Sequence, residues 1–205
     1  ISHITDIITE SNGMRIIKHS PFDPPILFFY DEIEKYNQRR VNWHWHPELE
    51  FIIIRDNPVE IYIDDTRILL RKNEGILVNA NEIHMMQCPE GILTASLFTI
   101  VMLPEFIADK TSVIYQKYIR PWISDPDRAY VLFLDSIPWH QEIVELLIHT
   151  FELLKKKEFA YELAIHNDIS KAWMIMLRHQ KEIPEQVVSR SDQSSQMRTK
   201  EIVEY

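Results

Sequence analysis

The apolar positions of this chain change their period near its middle. As far as about residue 103 they come in short runs rich in Ile, Val, Phe and Tyr, over 26–30, 41–46, 49–54, 59–63, 66–70, 76–78 and 92–103. Each run has strand length. Asp56-Asn57-Pro58, Asp64-Asp65, Asn73-Glu74-Gly75 and Asn79-Ala80-Asn81 supply turn chemistry between them. No helix-length segment intervenes, which argues against parallel β-α-β winding and predicts a sandwich or a small barrel.

Past residue 103 the period lengthens. The stretch Ile107 to Trp122 predicts a helix stopped by Ser124-Asp125-Pro126, and Tyr130 to Leu134 a short strand. Trp139, Ile143, Leu146, Leu147, Phe151 and Leu154 then recur at helical spacing behind Pro138, a residue that a first helical turn tolerates. A second helix is predicted over 161–180, with Ile165, Ile169, Ala172, Trp173, Met176 and Leu177 as its stripe. Both stripes are broad, so the two helices should pack on each other and on a sheet face or a second copy of the chain. Residues 183–196 have the composition of a linker, and Met197, Ile202 and Val203 open a new helical pattern. A chain that starts at Ile1 and stops at Tyr205 inside such a pattern reads as a piece of a longer protein.

Composition narrows the function. With 205 residues and 45% apolar content the chain can bury a core without disulfides or a structural metal. A net charge of −9 opposes phosphate backbones, so this stretch is not expected to grip nucleic acid by itself. Cys88 has no second cysteine to pair with, the usage of a reducing, cytoplasmic compartment. Only 3 glycines are present, which excludes glycine-rich nucleotide loops. No apolar run approaches the ~20 residues of a spanning helix.

The chemistry concentrates in Trp43-His44-Trp45-His46-Pro47-Glu48-Leu49-Glu50. Alternate residues of a strand share a face, so His44 and His46 point the same way and Trp43 and Trp45 the other. Glu50 follows beyond Pro47, and His84 lies past Gly75 and the Asn79–Asn81 turn. Three imidazoles and a carboxylate form a mixed nitrogen and oxygen donor set suited to Zn, Ni, Fe or Mn. The facing of Glu48 is left open, because Pro47 disturbs the alternation. No Ser-His-Asp arrangement follows from the spacing.

His44, His46, Glu50 and His84 resemble the cupin pattern, H-x-H-x3-E completed by a histidine beyond a glycine turn. That resemblance implies a double-stranded β-helix, a jelly-roll barrel with the site inside. The same segments are similar to the N-terminal sensing domain of AraC-type transcription regulators. So are Tyr118-Ile119-Arg120-Pro121, Pro138-Trp139-His140, Tyr161-Glu162-Leu163 and Lys171-Ala172-Trp173 in their order, and Met197 to Tyr205 at the end. The resemblance implies three regions: a cupin-like barrel with an N-terminal segment over 1–103, a helical dimerisation region over 104–182, and a linker with the start of a helix-turn-helix domain over 183–205. It further implies a small-molecule effector such as a sugar in the barrel, a homodimer through the C-terminal helices, and DNA contact only through a further C-terminal domain.

Three readings of the four site residues stand side by side. They hold a metal ion, they form hydrogen bonds to an effector without one, or some of them are structural, with Glu50 paired to an imidazole or an arginine. A metal-dependent cupin enzyme, such as a dioxygenase or sugar isomerase, is the alternative to the regulator. The sequence leaves open whether residues 1–20 form an ordered arm.

Overall fold

Every residue of the strand Leu49–Ile54 is buried, where a strand with one wet face would alternate. The computed structural model, which describes residues 7–20 and 23–184, shows why. This strand lies inside a sheet covered on both faces. Ile52 and Ile54 join a core between two sheets, while Leu49, Phe51 and Ile53 join a second core beneath the helices.

The first sheet contains β1 (Ile26–Glu32), β8 (Ser96–Met102), β3 (Leu49–Ile54), β6 (Gly75–Val78) and β9 (Tyr130–Phe133), in that spatial order. The second contains β2 (Arg40–His44), β7 (His84–Gln87), β4 (Val59–Ile63) and β5 (Thr66–Leu70). All the pairings of these strands are antiparallel. From β1 to β8 the chain changes sheet at every step except the β4–β5 hairpin. That interleaving is a jelly roll, the cupin-like barrel that the histidine pattern implied. A ninth strand, β9, extends the first sheet beside β6. At Gly75, where β6 begins, a Cβ would lie 2.8 Å from the Ile52 carbonyl oxygen of β3, so only glycine allows this strand approach.

Three α-helices follow among the described residues: α1 (Arg120–Ile123), α2 (Pro138–Lys156) and α3 (Tyr161–Arg178). Pro138 occupies the first turn of α2 as expected, and Lys157 ends that helix in the left-handed conformation. Ile143, Val144, Leu147 and Phe151 of α2, with Ile165, Ile169, Ala172, Trp173 and Met176 of α3, cover the outer face of the first sheet. Each fully buried Val, Leu, Ile, Phe or Met side chain among them contributes about 1.5–3 kcal/mol relative to exposure. Phe151 stacks on Phe98 and meets Phe28 edge-on, which fixes α2 over β8 and β1.

Some sequence expectations shift. The helix predicted over Ile107 to Trp122 starts later: 107–112 are irregular, and the helical path runs from Val113 through the π-helical segment Tyr115–Ile119 into the short α1. Asp109 diverts the backbone there, its carboxylate accepting from Thr111 N–H. β2 stops at His44 because its register with β7 slips after Val41 and the backbone of Trp45 pairs elsewhere. β8 starts at Ser96 rather than Ile92, since residues 89–92 make a turn first. The expected linker beyond residue 184 and the helical start at Met197 lie outside the described residues.

His140, in the first turn of α2, accepts the Leu134 backbone N–H on Nδ1 at 2.9 Å and so fastens the end of β9 to the helix. Burial pushes its imidazole down to about 4. The unfolded chain therefore binds this proton more readily, and the contribution is complete above the unfolded value near 6.5 and is lost as pH falls toward about 4. Urea unfolding from pH 7 to 4 should show this loss, and His140→Gln, which still offers an acceptor but does not titrate, should lose less. A variant profile parallel to the wild type would refute the assignment.

Candidate functional site

The loop between β6 and β7 determines where His84 stands. Asn79 donates through its side-chain amide to the Arg128 carbonyl at 2.9 Å, and Asn81, in the left-handed conformation, donates its backbone N–H to the His46 carbonyl at 2.8 Å. The first residue of β7 is then His84, directly opposite His44 on β2. Their ring centroids are 4.2 Å apart, and that of His46 lies 5.6 Å from His44 and 5.3 Å from His84. Glu50 enters from β3 on the facing sheet.

All four side chains predicted from the sequence converge inside the barrel and are buried. One ligand atom from each lies within 4.8 Å of the others. The tautomers follow from the hydrogen bonds. His44 Nδ1 donates to the Asn42 carbonyl and His84 Nδ1 to the Glu82 carbonyl, each at 2.8 Å. Both Nε2 atoms point into the site and neither has a hydrogen-bond partner among the described residues, that of His84 lying 3.5 Å from Glu50 Oε2. His46 Nε2 donates to Glu50 Oε2 at 2.8 Å, leaving Glu50 Oε1 without a partner among them. Buried acceptors left this way are costly unless something fills the space between them. Two free imidazole nitrogens, a free carboxylate oxygen and a third imidazole form a group that could hold a divalent transition metal ion.

The electrostatics agree with that geometry. Burial, reinforced by neighbouring His84, holds His44 well below the ordinary histidine range, so it is neutral. Burial likewise lowers His46, against the pull of Glu50. For Glu50 burial alone would raise the carboxyl, but His46 and His84 outweigh it and hold it well below its ordinary value. A neutral imidazole pair beside a carboxylate is the protonation state in which such ligands bind metal.

The structure adds groups that sequence reasoning did not select. Glu48 does face inward, with Oε1 2.8 Å from His19 Nε2 and Oε2 3.5 Å from His46 Nδ1. Arg15 reaches in from an N-terminal hairpin in which Thr9 bridges Arg15, its Nη1 3.8 Å from Glu50 Oε2. That hairpin is docked by Arg15 N–H to the Trp45 carbonyl, Trp45 N–H to the Gly13 carbonyl and the Trp45 indole to the Asn12 carbonyl. Residues 7–16 are thus an ordered arm. Deeper inside, Asp31 accepts from Tyr36 at 2.5 Å and Thr99 at 2.6 Å, and burial raises its carboxyl. Only the arm's Gly13 turn carried a local signal for any of these contacts. Trp43 and Trp45 lie outside the barrel as expected, Trp43 edge-on to Tyr62 and Trp45 beneath the arm. Cys88 is half-buried, and burial raises its thiol, which makes it a poor nucleophile.

Comparison with known proteins decides the family. The family described as an AraC-like ligand binding domain matches residues 32–165, well over half the chain and all four site residues. The chain belongs to that family. A relative from Bacillus subtilis, named an uncharacterized HTH-type transcriptional regulator, YdeC, is 19% identical over 168 residues. The match takes in 82% of this chain but 57% of the relative, so the chain spans little more than half of that protein's length. Among solved structures, a cupin-2 domain protein from Shewanella frigidimarina is 20% identical, covering 42% of this chain and 76% of its own, with a TM-score of 0.32. A predicted oxalate decarboxylase from Thermotoga maritima is 15% identical, covering 31% and 56%, with a TM-score of 0.29. At such scores neither likeness adds to what the strand order of this AraC-like ligand binding domain already shows.

Proposed function

We propose that the chain is the effector-sensing and dimerisation part of an AraC-type transcription regulator, acting in the cytoplasm. The observation that carries this reading is the buried cluster of His44, His46, Glu50 and His84, whose unpartnered atoms face one another in a domain of this family. An effector in the barrel would meet these groups, and its binding would bias regulation only through unequal affinity for two states of the protein. The B. subtilis relative, matched over most of the chain and named an HTH-type regulator, supports DNA contact through a separate C-terminal domain. The rival reading, a metal-dependent enzyme, draws support from the donor set alone. Among the described residues no helix is long and apolar enough to cross a membrane.

The same residues would hold a divalent ion such as Zn, Ni, Fe or Mn, through Nε2 of His44 and His84, a nitrogen of His46 and a carboxylate oxygen of Glu50. Bound there, an ion would anchor an oxygen of the effector. Elemental analysis of untagged protein should find close to one ion per chain. His46→Ala should weaken metal binding by more than about 100-fold, since even partners of metal ligands cost 10–100-fold. Less than a tenth of an ion per chain would leave a metal-free pocket.

Dimerisation is supported by the helices. Leu163 and Met174 are exposed on α3 about three turns apart. Beside them a cleft of about 870 Å³ runs between α3 and the 114–122 segment, walled by Ile114, Tyr118, Trp122 and Trp173. A helix of a second copy would fit such a groove. Sedimentation equilibrium should give a dimer, and the double change Leu163→Glu and Met174→Glu a monomer with unchanged circular dichroism; a monomeric wild type would end the proposal. The regulator reading itself is tested by the whole gene product on its own upstream DNA. A footprint at discrete sites is expected, and its absence over that whole region, or turnover of a small substrate that disappears in His46→Ala, would favour the enzyme instead.

A further inference from the structure

Arg15 is a buried cation short of acceptors. It is 8% exposed, yet among the described residues no acceptor bonds its guanidinium; its nearest anionic atom is Glu50 Oε2 at 3.8 Å, beyond hydrogen-bond range. That oxygen already accepts from His46. The other inward carboxylate near it, Asp31, has one oxygen held by Tyr36 and the other by Thr99. Below the guanidinium lies the ring of Phe29, its centroid 5.2 Å from Arg15 Cζ. Arg15 thus enters the barrel as a planar fork of N–H donors with an apolar floor and no acceptor of its own. Glu50 meets this guanidinium only at ion-pair distance, and the group that matches its open N–H donors is a carboxylate, bound through two parallel hydrogen bonds.

We propose that Arg15 is the anion-binding residue of the barrel and that the effector carries a carboxylate. This deepens the sensing role proposed above and rests on it. The choice of a monoanion follows from the surroundings. Glu48, Glu50 and Asp31 are all buried in the barrel interior with Arg15, so a phosphate dianion would meet about twice the repulsion that a single carboxylate meets. The remainder of the effector would lie toward His44, His46 and His84, the side of the barrel where the site offers partners to a hydroxyl group. A hydroxy acid or a sugar acid has that combination; a neutral sugar lacks the group that Arg15 requires.

Acetate is the smallest probe of the proposal. Thermal unfolding of the 205-residue chain would be followed in 100 mM sodium acetate, sodium chloride with acetamide, and sodium phosphate, at matched ionic strength and pH 7. Acetate should raise Tm by about 3 °C over chloride with acetamide. Arg15→Gln should abolish the rise, and Arg15→Lys, which keeps the charge but not the fork, should reduce it. In case Arg15→Gln fails to fold, the Arg15 Nε–H resonance of ¹⁵N-labelled wild type provides a second reading and should move with acetate and not with acetamide. Gluconate should act at lower concentration than acetate, and glucose should not act. No advantage of acetate over chloride, an equal advantage in folded Arg15→Gln, or a larger effect of phosphate than of acetate would each overturn the proposal. Carboxylate binding together with a missing DNA footprint would refute the regulator and leave Arg15 in its role.

Discussion

A strand presents its side chains to two faces in turn, and β3 faces a core on each. Leu49, Phe51 and Ile53 hold the helices, Ile52 and Ile54 hold the second sheet, and Glu50 shares the parity of the latter pair. Period two therefore places a carboxylate inside a barrel whose walls are otherwise apolar. Nothing in the packing of β3 calls for a charge there, and an isolated carboxylate in that position would be expensive. It is tolerated because His46 donates to it and because Arg15 is near. The rest of the site, the three imidazoles from β2, its extension and β7, is arranged around that one buried negative charge.

The stability of the molecule comes from elsewhere. The two apolar clusters, one between the sheets and one beneath α2 and α3, supply the burial that holds the barrel shut. The polar interior works against it: His44 and His84 each keep an unpartnered nitrogen, Glu48 and Glu50 an unpartnered oxygen. Replacing buried charged groups with apolar ones of similar volume is commonly neutral or stabilising. Groups retained at such a cost, converging on one point, are the mark of a binding site rather than of a fold requirement.

How much of this was legible depended on whether the cause was local. The runs at 49–54, 59–63 and 66–70 became strands with those bounds, because alternation and turn chemistry act within a few residues. Strand parity in the sequence turned His44 and His46 the same way, and the likeness to a known pattern added Glu50 and His84, which come from β3 on the facing sheet and from β7. Glu48 could not be placed, since Pro47 interrupts the alternation and only the tertiary contact with His19 settles its direction. Arg15 was invisible: its role depends on Trp45 receiving the arm, a contact distant in sequence and without periodic signature. The helix predicted over 107–122 lost only its first turns, for the opposite reason, an entirely local one. The Asp109 side chain captured the backbone and broke a plausible apolar period.

The site is also mechanically connected to the face proposed for a partner copy. Asn81 N–H is bonded to the His46 carbonyl, and two residues earlier Asn79 is bonded to the carbonyl of Arg128. The Arg128 guanidinium lies 4.4 Å from the ring centroid of Trp122, which meets Trp173 of α3 at 5.8 Å. Trp173 in turn donates its indole N–H to the Tyr118 carbonyl. Trp122, Trp173 and Tyr118 are walls of the cleft beside α3. A shift of His46 or His84 on ligand binding would therefore strain the 79–84 loop first, and the loop is tied to the segment that shapes that cleft. Contiguity of this kind is not coupling, which requires two arrangements of the loop with different affinities for the ligand. It does identify where such arrangements would have to differ.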